Sequence, residues 1–412
     1  MDSLIIGVSL LIFALAGYLL WPSRYNVVQH LGVGGSFVAI VVPAFILQVQ
    51  DQYPQEIVDL YVQILLVGVL ALLPGLILGF MMGKGRTTNF SFDIMASPDY
   101  ELRVISLTKT LLTIGIAGLV ISYAVMGFIP LFAADPISAK LFRGPYQAPY
   151  LRVAVLYRAS FFILSTIIPI AFIIWYKTKK PFFLFSVIAV VVLMAMSLAR
   201  SGAFSGIILA LAIIMSFKSR FTFAVLMLML IGIFIGSAFF YYIIGVRTFD
   251  ANVNIWRVLN AGTPDIEDQL NFMIRFQESP VWTYGRTIYG GLIPGHYQWN
   301  PSVYTLNIVA PGIDINEVGS GGLRLPLPMW GYVSFKWIGV VLFSFVTGLM
   351  GGFFLQLLKN WIQKFDSIIL RATAVVIFVT VFGNLVNFAT FNMYFIPPIV
   401  VMLFYMYRFK WK

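Results

Sequence analysis

The sequence predicts an all-α polytopic membrane protein, a single transmembrane domain of about 11 helices that carries one large outer loop. The chain has 412 residues, of which 60% are hydrophobic and only 10% are charged, and its mean hydropathy is +0.91. Soluble domains are about 45–50% apolar and about 25% charged, so this composition is that of a membrane protein. Several apolar runs reach the ~20 residues that a helix needs to cross ~30 Å of hydrocarbon. One long polar stretch, residues 245–328, separates two apolar halves.

The predicted spans follow the apolar runs in order. The sixth and seventh are short and meet at Arg200, and we interpret them as two spans because a charged residue in mid-bilayer is costly. The first lacks a basic leading segment and a small-residue cleavage site, which favours a retained helix over a signal peptide. The spans cover residues 3–21, 31–49, 60–82, 105–125, 153–176, 182–198, 203–217, 221–244, 329–358, 368–388 and 391–407.

The absence of cysteine, the small number of histidines and the distribution of the net charge exclude several kinds of binding site. The chain has no cysteine, which excludes disulfides, iron–sulfur clusters and thiolate zinc sites. Of its two histidines only His296 falls in a predicted outer loop, so the sequence predicts no metal site. The net charge of +11 is distributed between the spans. We therefore expect membrane lipids and an anionic substrate as partners, and no nucleic acid.

The basic residues of alternate loops predict the orientation. By the positive-inside rule these loops are cytoplasmic, which places the N-terminus outside and the C-terminus inside a cytoplasmic (inner) membrane. The outer side then receives a first outer loop, residues 126–152, the corner at Arg200 and the large outer loop, residues 245–328. Together with Arg158 and Lys336, which follow these segments at the start of the next spans, the outer side holds nine arginines but only two lysines, Lys140 and Lys336. The inner loops carry Arg24, Lys84, Arg86, Lys177, Lys179, Lys180, Lys218, Arg220, Lys359, Lys364, Arg408, Lys410 and Lys412.

The preference for arginine on the outer side has a chemical interpretation. A guanidinium is a planar fork that binds phosphate or carboxylate through two hydrogen bonds, whereas an ammonium is a point charge. Arg158 is expected about one turn inside the fifth span, and Arg200 lies in a corner of small residues, so both are candidates for holding a diphosphate. The alternative is that these arginines extend to lipid phosphates at the membrane surface.

The outer loops also contain candidates for acid–base chemistry and for sugar binding. His296, Asp135 and Glu317 are candidate bases, with a structural histidine and solvated turns as the alternatives. Tyr289, Tyr297 and Trp299 belong to a group of flat amphipathic rings that suits either the apolar face of a sugar or an interfacial belt.

One helix is predicted within the large outer loop. Thr263 followed by Pro264 and an acidic first turn is typical of a helix start, and Pro280 ends the pattern. Its apolar residues recur at helical spacing, so we expect an amphipathic helix on the membrane surface. Helix capping explains Asp265 and Glu267 more simply than a metal motif does.

Three short motifs resemble the oligosaccharide repeat-unit polymerases, the Wzy-type O-antigen polymerase family. Gly-Phe-Ile-Pro-Leu at 127–131 is similar to the opening of an outer loop in that family, and Ala-Arg-Ser-Gly at 199–202 is similar to a corner between paired spans. Residues 285–299 and 331–339 resemble the end of the family's large outer loop and the glycine-bearing helix after it. The likeness covers most of residues 127–352, mainly as layout. Gly295 and His296 depart from it, because a basic residue is expected there.

The resemblance implies a GT-C-like membrane glycosyltransferase that needs no metal or other cofactor. Such enzymes move a growing glycan from its polyprenyl diphosphate onto a new polyprenyl-diphosphate-linked repeat unit at the outer face, producing a polysaccharide of the O-antigen, capsule or exopolysaccharide type. A chain-length regulator is a further candidate partner. The candidate bases keep that role under the resemblance. The residues expected to bind the diphosphate are Arg143, Arg152, Arg158, Arg200, Arg286, Arg247 and Arg324.

Three other functions remain open on the sequence, one of which is a non-catalytic assembly subunit that would tolerate loss of the outer arginines. An O-antigen ligase-like transferase would share the donor and the arginines but would use another acceptor. A flippase or other transporter for lipid-linked oligosaccharides belongs to a different class, which tends to show paired repeats and charged residues at the membrane midplane. The large one-sided loop favours the polymerase over the transporter.

Overall fold

The protein is described from a computed structural model over residues 53–84, 98–198, 200–218, 266–293, 297–312 and 322–407, with 225, 228, 229 and 232. Within these ranges the secondary structure is helical, apart from one isolated parallel bridge between Gly291 and Asn392. Five of the described helices are long and apolar enough to cross a membrane, which confirms a helical membrane protein. The spans predicted at 3–21 and 31–49, and nearly all of 221–244, lie outside the described residues.

In the part of the chain that the structure describes, helices overlap the predicted apolar runs. The five long ones are α1, α2, α5, α10 and α11, and α6, α7 and α12 are shorter apolar helices. The helix predicted in the large outer loop is α8. The bounds are α1 Gln55–Gly83, α2 Pro98–Met126, α3 Pro136–Lys140, α4 Gln147–Leu151, α5 Ala154–Thr178, α6 Pro181–Met196, α7 Arg200–Lys218, α8 Ile266–Glu278, α9 Pro301–Val309, α10 Leu327–Ile362, α11 Ile368–Val386 and α12 Ile396–Tyr407.

The buried apolar side chains form two cores. The first lies among α2, α5, α6, α7, α11, α12 and the end of α10, and it fills the middle of the helical bundle. The second joins the beginning of α1 and of α10 to α8 and α9, so it connects the large outer loop to the bundle. Because α8 and α9 contribute buried side chains such as Phe272 and Tyr304, this part of the loop is a packed structure on top of the helices.

Glycines bring α1 and α10 into backbone contact. A Cβ atom on Gly79 would lie 2.0 Å from the carbonyl oxygen of Leu349, and one on Gly352 would lie 2.1 Å from that of Leu76. The contacting positions increase together along both helices, so α1 and α10 run in the same direction. Within a membrane such close approach replaces the hydrophobic effect as the source of helix association.

The helix α10 is a hairpin rather than one straight span. Its backbone leaves the helical region at Phe335 (φ −143°, ψ 29°) and Lys336 (φ 52°, ψ −141°). Beyond this break the chain reverses, because a Cβ atom on Gly331 would lie 2.3 Å from the carbonyl oxygen of Gly339. We call residues 327–334 the short arm and residues 337–362 the long arm.

The short arm re-enters the membrane bundle from the loop side. A Cβ atom on Gly68 of α1 would touch both Pro328 of the short arm and Ser344 of the long arm, so the two residues lie at one depth. The span predicted at 329–358 is therefore corrected: the crossing helix begins after Lys336. Hydropathy did not distinguish the two arms because both are apolar and no glycine or proline stands at residues 335–336.

The two ends of the bundle carry different chemistry. At one end, the lysine face, the Lys177 ammonium lies 2.7 Å from the Glu101 carboxylate and donates to Ser367 Oγ at 3.2 Å, which joins the end of α5 to the beginnings of α2 and α11. At the other end, the loop face, residues 127–153 join α2 to α5. The large outer loop also reaches this end, where the Tyr289 amide donates to the Phe388 carbonyl after α11. The first outer loop and the described parts of the large outer loop thus share one face.

Candidate functional site

A first arginine group is built from aromatic rings at the start of α5. The Arg158 Nε donates to the Tyr150 hydroxyl, and the guanidinium carbon lies 5.4 Å from the centre of the Tyr150 ring. Phe142 stacks flat on Tyr150, with ring centres 3.7 Å apart and 8° between the planes. Tyr157 meets both rings edge-on at 5.5 and 5.9 Å. Arg158 is therefore held by a packed cluster of aromatic rings.

Short local motifs place this ring cluster. Asp135 caps α3, because its carboxylate accepts from the amides of Ile137 at 3.1 Å and Ser138 at 3.0 Å. The turn after α3 then passes through Phe142, whose φ of 53° is left-handed, before the chain continues to Tyr150. Hydrogen bonds from the Ser138 side chain and amide lower the pKa of the Asp135 carboxyl. A carboxyl that is easier to ionise is a weaker base, so the structure favours a capping role for Asp135.

Arg143 and Arg152 flank this cluster. Arg143 is half-buried, and its Nε is buried without a hydrogen-bond partner among the described residues. Arg152 follows α4 and is exposed. In the described part of the chain the ion pairs are Lys177–Glu101 and Arg275–Glu278. Neither Arg143 nor Arg152 therefore has a carboxylate within 4.0 Å among these residues. Together with Arg158 they place three guanidinium groups within one short stretch of the loop face.

A second arginine group lies in the large outer loop. The Arg286 guanidinium carbon is 4.9 Å from the centre of the Trp299 ring, and the side chain is exposed. Trp299 stacks on Tyr304 at 6.3 Å and 26°, and Tyr304 contacts Trp330, which is 1% exposed. The Tyr304 hydroxyl donates to the Val281 carbonyl at 2.8 Å, and burial raises its pKa. Among the described residues Arg286 also has no carboxylate within 4.0 Å.

The predicted sugar-binding residues differ in what they offer a ligand. Tyr297 is 60% exposed, so its ring is available. Trp299 is already engaged by Arg286 and Tyr304, and it holds the arginine in place. Tyr289 is half-buried, with its ring 5.4 Å from that of Phe391. This arrangement makes Trp299 a support for Arg286.

The turn before Arg286 is attached to the hairpin of α10, which sequence reasoning missed. The Thr283 amide donates to the Val333 carbonyl at 2.9 Å, and the Thr283 and Ser334 hydroxyls are 2.7 Å apart. Both side chains are buried. Gly285 in the sequence Thr-Tyr-Gly-Arg at 283–286 indicates a turn, but no pattern in the sequence indicates its partner.

The remaining predicted site residues are His296, Glu317, Arg247, Arg200 and Arg324. His296, Glu317 and Arg247 lie outside the described residues, and Arg200 begins α7 with its side chain outside them. Arg324 is exposed, and its carbonyl accepts from the Gln269 side chain at 2.8 Å. Among the residues that the structure describes, no three His, Asp or Glu side chains gather as a metal site would require.

Comparison with known proteins gives no relative for this chain. No protein-family model, no curated protein and no solved structure matches it.

Proposed function

We propose that this protein polymerises polyprenyl-diphosphate-linked oligosaccharide repeat units at the outer face of the cytoplasmic membrane, with the loop face outside. The observation that carries the proposal is the pair of arginine groups on one face of a membrane bundle. Their guanidinium groups are supported by aromatic rings, and Arg143, Arg152 and Arg286 have no carboxylate partner among the described residues. Guanidinium groups that no carboxylate neutralises are suited to bind a polyanionic ligand at the membrane surface.

In the proposed reaction, negative charge develops on the departing lipid diphosphate, next to these arginines. A hydroxyl oxygen of the new repeat unit forms a bond to the anomeric carbon of the growing glycan, while the bond from that carbon to the lipid diphosphate breaks. The bonding pair leaves with the diphosphate, and the hydroxyl proton passes to a base. Hydrogen-bond donors fixed where the negative charge develops lower the barrier most when they need no rearrangement. The contact of Arg158 with Tyr150 supplies this kind of fixed donor.

The polyprenyl chains reach such a site from within the membrane. The exposed apolar side chains of α2 and α5 near the loop face, such as Val125 and Val155, are suited to contact with lipid. A lipid diphosphate then has its apolar end in the bilayer and its charged end at the guanidinium groups. Neither nucleotide sugar nor metal is part of this proposal.

Of the three predicted bases, Asp135 is the least suited to the role. The lowered pKa of Asp135 and its role as a helix cap argue against it. We therefore propose His296 or Glu317, which both carry proton-accepting side chains, as the base.

The test is a reconstitution in which purified protein in proteoliposomes receives lipid-linked repeat units alone. A ladder of products that differ by one repeat unit is expected. Transfer of a single glycan onto an added lipid A core without a ladder would identify a ligase instead. Movement of the lipid-linked unit across the membrane without a new glycosidic bond would identify a transporter.

A further inference from the structure

Lys336 has a backbone conformation that favours glycine. It stands at the break of α10 with φ 52° and ψ −141°. A side chain is strained in this region, and glycine is not. Strained non-glycine residues persist where the surrounding structure holds them, and they cluster at functional sites.

An aromatic ring holds the charged end of Lys336. Its ammonium lies 5.1 Å from the centre of the Trp282 ring, and the side chain is exposed. Among the described residues no carboxylate lies within 4.0 Å of it. Lys336 therefore repeats, with an ammonium, the arrangement of Arg286 over Trp299: a cation supported by a ring.

The same turn connects Lys336 to Arg286. Trp282 precedes Thr283, which is bonded to Val333 and Ser334 of the short arm. Two residues later, a Cβ atom on Gly285 would lie 3.2 Å from the Phe335 ring, and Arg286 follows with its amide donating to the Thr283 carbonyl at 3.0 Å. The hairpin tip and the turn are thus fixed to each other, with one exposed cation on each.

We propose that Lys336 and Arg286 together bind an anionic group, a phosphate or a sugar carboxylate, of the lipid-linked substrate. The guanidinium supplies a planar fork and the ammonium a point charge, a combination that suits an oxyanion with several oxygens. The identity of the ligand rests on the proposed function, whereas the site itself rests on the geometry of the hairpin tip.

The substitution Lys336→Gly separates binding from folding. It removes the charge and relieves the backbone, so the variant should melt no lower than the wild type while its affinity for geranylgeranyl diphosphate in nanodiscs falls about tenfold, the effect expected of one charged contact. The matched control is Lys179→Gly. Lys179 is also left-handed (φ 56°), and its ammonium also lies over rings, 5.2 Å from Trp175 and 4.8 Å from Tyr176, but on the lysine face. Its loss should leave the affinity unchanged.

A second control tests the backbone alone. Tyr284 lies in the same turn with φ 49° and carries no charge, so Tyr284→Gly should keep the affinity. A parallel titration with an oligosaccharide that contains a uronic acid identifies the source of the anion: a tenfold loss confined to that ligand assigns the site to the glycan, and a loss confined to the prenyl diphosphate assigns it to the lipid. Less than a twofold change for both ligands in Lys336→Gly would overturn the proposal. Binding is measured without turnover, so wild-type protein that binds but forms no ladder would refute the polymerase and leave this site standing.

Discussion

Arg158 supplies a positive charge, and its hydrogen bond to the Tyr150 hydroxyl orients the guanidinium. Substitutions can separate the effect of the orientation from the effect of the charge. Tyr150→Phe keeps the ring that stacks on Phe142 and removes only the acceptor oxygen. A hydrogen bond to a charged group contributes about 1.5–3 kcal/mol, which corresponds to a loss of about 10- to 150-fold in kcat/KM for polymerisation. The rate of ladder formation by protein in proteoliposomes measures it.

A charge-conserving substitution provides the comparison for Arg158. Arg158→Lys keeps one positive charge but not the planar fork, so polymerisation should fall at least as far as in Tyr150→Phe. Arg275→Lys is the control, because Arg275 is exposed and paired with Glu278 at 3.1 Å. Equal activity of Arg158→Lys and wild type would mean that the fork has no part in catalysis.

The ionisation of Asp135 should make the stability of the first turn of α3 depend on pH. The pKa of Asp135 is lowered on folding by hydrogen bonds to the first turn of α3, so the charged cap stabilises that turn above the unfolded pKa of about 3.9 and the effect is lost as pH falls through the folded value. Protection of the Ile137 and Ser138 amides from hydrogen exchange, corrected for intrinsic rates, should therefore decrease below pH 4. Asp135→Asn should show no such decrease because asparagine caps without titrating. If that variant loses polymerase activity near neutral pH while its protection is intact, Asp135 is the base after all.

At the scale of single elements, the contact between α1 and α10 depends on glycines. Gly79→Ala would place a methyl group 2.0 Å from the Leu349 carbonyl oxygen, so the helices must separate. Overpacking of this kind costs about 1–3 kcal/mol, and the melting temperature in detergent should fall. Gly383→Ala in α11 is the control: nothing lies within 4 Å of its Cβ position, and the gain in helix propensity should keep or raise the melting temperature. The opposite order of the two variants would mean that the helices are not packed through Gly79.

The elements also show where sequence reasoning succeeds and where it does not. The runs at 60–82 and 105–125 predict α1 and α2 because a continuous apolar stretch has few ways to satisfy its backbone in a membrane except as a helix. The hairpin of α10 could not be predicted in this way. Its reversal occurs at Phe335 and Lys336, which are ordinary helix residues, and it depends on the contact of Gly331 with Gly339 that only the packed structure shows.

Across the whole molecule, the sequence identifies the charges of the candidate site but not their supports. The excess of arginine in the loops predicts guanidinium groups on the loop face, where the structure places Arg158 and Arg286. Their ring partners Tyr150 and Trp299 come from 8 and 13 residues away, the first across the junction of α4 and α5, and no periodicity in the sequence indicates these contacts. The composition therefore predicts an anionic ligand, whereas only the tertiary structure shows which residues hold each cation.

The arrangement of both arginine groups on one face makes the sidedness of the chain the strongest test at this scale. The protein has no cysteine, so single cysteines can be introduced without background labelling. Tyr297→Cys on the loop face and Lys180→Cys on the lysine face are both at exposed positions. A membrane-impermeant maleimide should label the first in intact cells and the second only after the membrane is opened. The reverse pattern would place the guanidinium groups in the cytoplasm, where the proposed outer-face polymerisation cannot occur.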